Sequence, residues 1–179
     1  MTAIRILASG LLALVIATVP GRADLAPSRA PEAAPRASGP QEAEVVAVLV
    51  DPRTQVHTVL LQGKRDRRQV AMAIGAAEAT GIAVPLHGVT PPRPLTHDLF
   101  MTLFGRLKVS VTRVVITDLR DDVYYAILHL SAAGGEMTLD ARPSDAIALA
   151  IRAKAPVLVE DRVFDKGSAG TPPGRRPHI

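Results

Sequence analysis

The sequence has no cysteine among its 179 residues. That excludes a disulfide framework, a thiolate zinc site and a cysteine nucleophile. Tryptophan is also missing, and the only aromatic side chains are Phe100, Phe104, Phe164, Tyr124 and Tyr125. So few rings leave little material for stacking unpaired bases, and a nucleic-acid partner would be held by charge and hydrogen bonds. Charge of one sign is scarce where it would matter. The formal net charge is +4, but residues 41–166 carry 15 Lys or Arg against 15 Asp or Glu. The excess lies in the ends, so the globular part lacks the electrostatic footprint of a tight duplex binder. The basic cluster Lys64, Arg65, Arg67 and Arg68 is interrupted by Asp66 and lies between two strand-like runs, which suggests a solvated hairpin loop. No glycine-rich phosphate loop is present, which argues against a nucleotide triphosphatase.

What is there divides into a leader, a tether, one compact unit and a tail. Arg5, the apolar stretch Ile6 to Val19 and the small residues Gly21 and Ala23 read as a signal peptide over residues 1–23, with cleavage before Asp24. The run is short for a membrane span, so export to the periplasm or exterior is expected, with no stable membrane association after cleavage; an uncleaved anchor is the alternative. Residues 24–42, with Pro27, Pro31, Pro35 and Pro40, read as a Pro/Ala-rich linker, and 167–179 as a flexible tail. The 47% hydrophobic content is enough for a core in the segment 43–166.

Within that segment, Val45 to Val50 and Val56 to Leu61 are strand-like runs split by Asp51-Pro52-Arg53, and Val70 to Ile74 alternates as a third strand. A short helix is expected over Ala76 to Val84, and a second from Thr96, taken as its N-cap after Pro91-Pro92-Arg93-Pro94. Strands follow near Val111–Thr117, Val123–Leu130 and Glu136–Ala141, and Pro143 opens a third helix. Shifting the chain by 67 residues lays Val48 on Val115, Asp51 on Asp118, Leu61 on Leu128 and Glu78 on Asp145. The expected fold is α+β: one domain with a mixed β-sheet, an internal duplication of a β-β-β-α unit, and an intervening helix.

Two stretches look least like generic core: Pro91-Pro92-Arg93-Pro94-Leu95-Thr96-His97-Asp98-Leu99 and Asp140-Ala141-Arg142-Pro143-Ser144-Asp145-Ala146-Ile147-Ala148-Leu149-Ala150. With the strand Arg113 to Leu119 and the downstream Ala155-Pro156-Val157, they resemble the bifunctional nuclease domain family from about Val45 to about Phe164. The resemblance implies an α+β fold, nuclease activity on RNA and/or DNA, and a tendency to form homo-oligomers. Where family members usually place bulky aromatics before the first helix, this chain reads Ala71-Met72-Ala73-Ile74-Gly75-Ala76-Ala77-Glu78-Ala79.

Each candidate residue has a plainer explanation beside it. Thr96 can cap a helix, and Asp98 and Asp145 can stabilise helix N-termini without any chemistry. Asp140 and Arg142, two apart on a strand, can simply pair with each other. His97 is needed for neither purpose and suits a base near neutral pH. For phosphodiester hydrolysis the expected catalytic set is His97, Asp98, Asp140 and Asp145, with Arg93, Thr96, Arg142 and Ser144 holding substrate. Asp98, Asp140 and Asp145, with Glu78, are the oxygen donors expected for a divalent metal such as Mg or Mn. The alternative is a non-catalytic oligomeric interaction module on the same fold.

Overall fold

The computed structural model describes residues 39–169. The signal peptide read over 1–23, the linker up to residue 38, and the tail from 170 lie outside the described residues. Seven strands and four helices follow in the order β1 (Gln41–Val50), β2 (His57–Gly63), β3 (Gln69–Ile74), α1 (Ala76–Leu86), α2 (Thr96–Leu107), β4 (Ser110–Arg120), β5 (Val123–Ala132), β6 (Gly135–Ala141), α3 (Pro143–Ala153), β7 (Val157–Val159) and α4 (Asp161–Ala169). The fold is α+β.

One mixed sheet runs in the order β3-β2-β1-β7-β4-β5-β6. Each half is an antiparallel meander made by short turns. Asp51 closes the first, its Oδ1 accepting from the backbone N of Arg53 at 2.8 Å and Thr54 at 3.3 Å, while Gln55 takes φ 57°. Asp121 and Asp122, both at positive φ, make the two-residue connection between β4 and β5. The short β7 joins the meanders, antiparallel to β1 through Gln41, Glu42 and Ala43, and parallel to β4 through Val114, Val115 and Ile116.

The elements β1-β2-β3-α1 and β4-β5-β6-α3 match in order at the 67-residue offset, and α1 and α3 begin at residues 76 and 143. The two halves share their element order.

Several boundaries differ from the sequence expectation. The first strand begins at Gln41, inside the segment read as linker, because Gln41 is buried with its side chain bonded to the Arg65 backbone and to Asp66. Both β7 and α4 are additional elements, and α4 reaches Ala169, into the segment read as tail. The Arg65–Arg68 cluster is not a freely solvated loop. Arg68 pairs with Asp66 at 2.7 Å, with Asp161 and with Asp165 at 2.8 Å, and lies over the Phe164 ring, which ties the β2–β3 turn to α4.

The core forms where α1, α3 and α4 meet the sheet. Leu61, Met72, Ile82, Ile116, Leu130, Ile147 and Phe164 are its largest fully buried members. In α3 the run Ala146 to Ala150 is buried throughout, which small side chains allow at close helix–helix approach with α1. No described helix is long and apolar enough to cross a membrane.

Candidate functional site

Helix starts define the site. Glu78 and Asp145 are the third residues of α1 and α3, and His97 is the second of α2. Carboxylates in a first turn face the positive end of the helix dipole, which is the local reason each helix tolerates an acid there. Where the three helices meet they line an open cavity of about 590 Å³, with Glu78, Gly81, Thr96, His97, Phe100, Arg142 and Asp145 in its wall.

Arg142, the N-cap residue of α3, is the hub. Its Nε donates to Asp145 Oδ2 at 2.7 Å, and its Nη2 meets Glu78 Oε1 at 3.0 Å. Asp145 Oδ1 lies 3.2 Å from His97 Nε2, so one carboxylate joins the arginine to the imidazole. Burial works to raise the Asp145 pKa, but the hydrogen bonds from Arg142 and His97 outweigh it and hold the carboxyl below its ordinary range. The Arg142 guanidinium is held more firmly charged, chiefly by its bond to Asp145. None of the hydrogen bonds among the described residues uses Arg142 Nη1, and the side chain is 65% exposed, so a donor faces solvent. His97 is 13% exposed at the cavity wall. A hydrogen-bonded His–Asp pair beside an exposed guanidinium can move a proton and hold an anion in one place.

Asp98 is oriented differently from its neighbour His97. Its Oδ1 accepts from Arg152 Nε at 2.6 Å and its Oδ2 from the Leu95 backbone N at 2.7 Å. The Arg152 hydrogen bond is the main reason its pKa is lowered. Leu95, not Thr96, is the N-cap position of α2, and the capping carboxylate comes from Asp98 three residues on. Thr96 instead lines the cavity mouth.

The remaining expected residues do not join this group. Asp140 is exposed near the end of the edge strand β6, and its expected pairing with Arg142 does not form, because Arg142 turns to Asp145 and Glu78. Ser144 is buried, and Arg93 is exposed in the corner before α2; neither lines the cavity. The expected metal set also does not assemble. Among the described residues no group of three or more His, Asp or Glu is placed to hold an ion. The donors that do converge, Glu78 and Asp145, already face a guanidinium, and a second cation there would meet repulsion.

Two participants escaped the sequence reading. Gly81 lies against the His97 ring, and Arg152 bonds to residues on all three helices. A glycine inside an Ala-rich helical stretch was the one available signal for the first; nothing local marks the second.

Among the described residues, fold and cavity define one α+β domain with a His–Asp pair and an arginine at converging helix starts. A profile of the bifunctional nuclease domain matches residues 59–171. The chain belongs to the bifunctional nuclease domain family. An uncharacterised protein of Mycobacterium tuberculosis is 38% identical over 123 residues, covering 69% of this chain and 73% of that protein. Bifunctional nuclease 1 of Oryza sativa subsp. indica is 31% identical over 112 residues, covering 60% of this chain and 34% of the plant protein. Bifunctional nuclease 1 of Arabidopsis thaliana is 26% identical over 127 residues, covering 57% and 39% respectively. The chain thus aligns with little more than a third of each plant relative's length.

Proposed function

We propose that the protein is a nuclease that hydrolyses phosphodiester bonds of RNA and/or DNA at the His97–Asp145–Arg142 group. The observation that carries this reading is the convergence of those three side chains at one cavity, joined by bonds of 3.2 and 2.7 Å. Membership of a family whose plant members are named bifunctional nucleases supports it.

In this mechanism Arg142 Nη1 and the neighbouring donors hold the non-bridging phosphate oxygens and offset the charge that builds up on them. His97, whose Nε2 is bonded to Asp145, takes a proton at Nδ1 from water as the water oxygen bonds to phosphorus, and Asp145 stabilises the imidazolium that results. The P–O ester bond breaks, and the proton returns from His97 to the leaving oxygen. No step is routed through a metal, because the donors present do not suit one. The leader-like N-terminus makes an exported enzyme part of the same proposal. Mature protein beginning at Asp24 supports export, and an intact Met1 on a cytosolic protein overturns it.

The test is cleavage of labelled RNA and single-stranded DNA by the purified full chain between about pH 5 and 9, alongside His97→Gln and Asp145→Asn. Cleavage by the parent and loss in both variants supports the reading. A parent that cleaves neither polymer, or variants as active as the parent, sinks it.

A second reading, an oligomeric interaction module, is favoured by one observation. Leu99, Phe100, Leu103 and Leu107 of α2 are 47–61% exposed, while Met101 and Phe104 of the same helix pack on the core. A helix apolar on both sides is ordinarily covered on both. The i, i+4 spacing of Leu99, Leu103 and Leu107 suits an antiparallel contact with the same helix of a second copy. Light scattering of the full chain decides whether it self-associates, and an inactive oligomer would favour this reading over the enzyme.

A further inference from the structure

One side chain ties together the three helices that build the cavity. Arg152, in the last turn of α3, is 8% exposed. Its Nε donates to Asp98 Oδ1 on α2 at 2.6 Å, and its Nη1 donates to the carbonyls of Gly81 on α1 at 2.7 Å and Ala148 on α3 at 2.9 Å. A guanidinium presents its donors in a rigid planar fork, so three acceptors on three helices fix their relative placement as a flexible ammonium would not. Asp98 is the residue after His97, so the clamp acts one residue from the imidazole.

Gly81 also meets the imidazole directly. A Cβ on it would stand 2.8 Å from His97 Cε1 and 2.9 Å from Nδ1, closer than such atoms pack. Glycine is a poor helix former, and its place inside α1 is explained by this approach. Its carbonyl serves Arg152 while its bare α-carbon leaves room for the ring.

We propose that Arg152 and Gly81 form one positioning device for His97, the clamp fixing the start of α2 and the glycine leaving the space that turns the ring's Nε2 to Asp145. Its kinetic consequence rests on the nuclease reading; its geometric content does not.

The experiment uses the full chain as parent, Gly81→Ala, Arg152→Met and Arg152→Lys. Three quantities are measured on each: thermal midpoint, nuclease kcat and KM, and the proton NOE between the His97 ring and residue 81. Gly81→Ala is expected to melt close to the parent, because alanine favours the helix. Its ring contact is expected to change and its kcat to fall about a hundredfold, the scale of a 1 Å misplacement, with KM little altered. Arg152→Lys should recover stability relative to Arg152→Met without recovering the ring contact or kcat. A purely structural role predicts lower midpoints with ring contact and kcat retained in whatever folds, and that result overturns the proposal. Should Arg152→Met fail to fold, Gly81→Ala and Arg152→Lys still decide. If the parent itself cleaves nothing, the nuclease reading falls and the NOE alone judges the device: an unmoved ring in Gly81→Ala and Arg152→Lys refutes it.

Discussion

Glu78 and Asp145 occupy the same place, third residue of α1 and of α3, 67 positions apart, and both accept from the single guanidinium of Arg142. The two meander-and-helix halves therefore each present a carboxylate to one cation contributed by the second half. Without that cation the acids would face each other across the cavity and repel.

Arg142→Met removes the cation and keeps an unbranched, largely apolar stem. KM for a polynucleotide should rise by about tenfold or more, because an exposed anion-binding donor is lost along with the neutralisation of two acids. The pH dependence should change with it. Asp145 has a depressed folded pKa, so its ionised form adds stability above the unfolded value of 3.8, and this is lost as pH falls through the lower folded value. Removing Arg142 should bring acid unfolding to higher pH, read as thermal midpoint against pH from about 6 to 2.

His97 and Asp145 should separate from Asp140 in a mutant series. His97→Gln and Asp145→Asn are expected to lower kcat by about two to four orders of magnitude, the range for a general base and its partner. Asp140→Asn, at an exposed edge-strand position away from the cavity, should change stability by no more than about 0.5 kcal/mol and leave the rate near the parent's. A large loss of rate in Asp140→Asn with the fold intact would show that the reacting centre lies elsewhere.

Much of this architecture was legible because local chemistry announced it. Alternating Val, Leu and Met marked the strands, Pro143 marked the start of α3, and the two polar motifs supplied His97, Arg142 and Asp145. The motifs did not reveal which way neighbours point. Asp98 and His97 are adjacent in sequence, yet one faces Arg152 and the other Asp145, a difference of about 100° around a helix that spacing alone does not assign to partners. A period of two pairs Asp140 with Arg142, but the strand ends at Ala141 and Arg142 caps a helix, where the period no longer holds. Gln41 looked like linker because its burial depends on a side-chain bond to Asp66, 25 residues away. Arg152 and Gly81 owe their roles wholly to tertiary contacts.

Asp98 should prove a positioning residue that holds Arg152 and the start of α2, not a group that touches substrate. Its depressed pKa has the Arg152 bond as first cause, so its contribution is present above the unfolded value of 3.8 and disappears as pH falls through the lower folded value. Asp98→Ala leaves Arg152 without its carboxylate and Leu95 without a cap, and is expected to cost about 1.5–3 kcal/mol at neutral pH. Chemical denaturation at pH 7 and pH 3 checks this: the gap between parent and variant should narrow at the lower pH.

Divalent cations should not bind the resting protein tightly. With Arg142 on Asp145 and Glu78, adding Mg or Mn must displace a charge-assisted bond at each acid. Thermal midpoints of the full chain in chelator and in millimolar Mg or Mn are expected to coincide. A midpoint that rises with metal concentration, as mass action requires of a ligand bound to the folded state, would contradict this reading of the donor set.

The exposed row on α2 yields the last prediction. Leu103 is central in the row, one turn from both Leu99 and Leu107, and is half exposed in the single chain. If a second copy covers it, Leu103→Lys places a charge at the centre of an apolar contact and should dissociate the oligomer, since desolvating an unpaired ammonium costs more than the contact gains. The fold should survive, because Leu103 is half exposed while Met101 and Phe104 are the α2 residues that pack on the core. Light scattering and the thermal midpoint on the same variant give the answer: smaller mass with an unchanged midpoint at high dilution supports the interface. Phe100 belongs both to this row and to the cavity lining, so dissociation is also expected to open the cavity mouth. That should raise KM while leaving the His97–Asp145 bond, and hence kcat for bound substrate, close to the parent value. A variant that keeps the parent's mass would place the contact on another face.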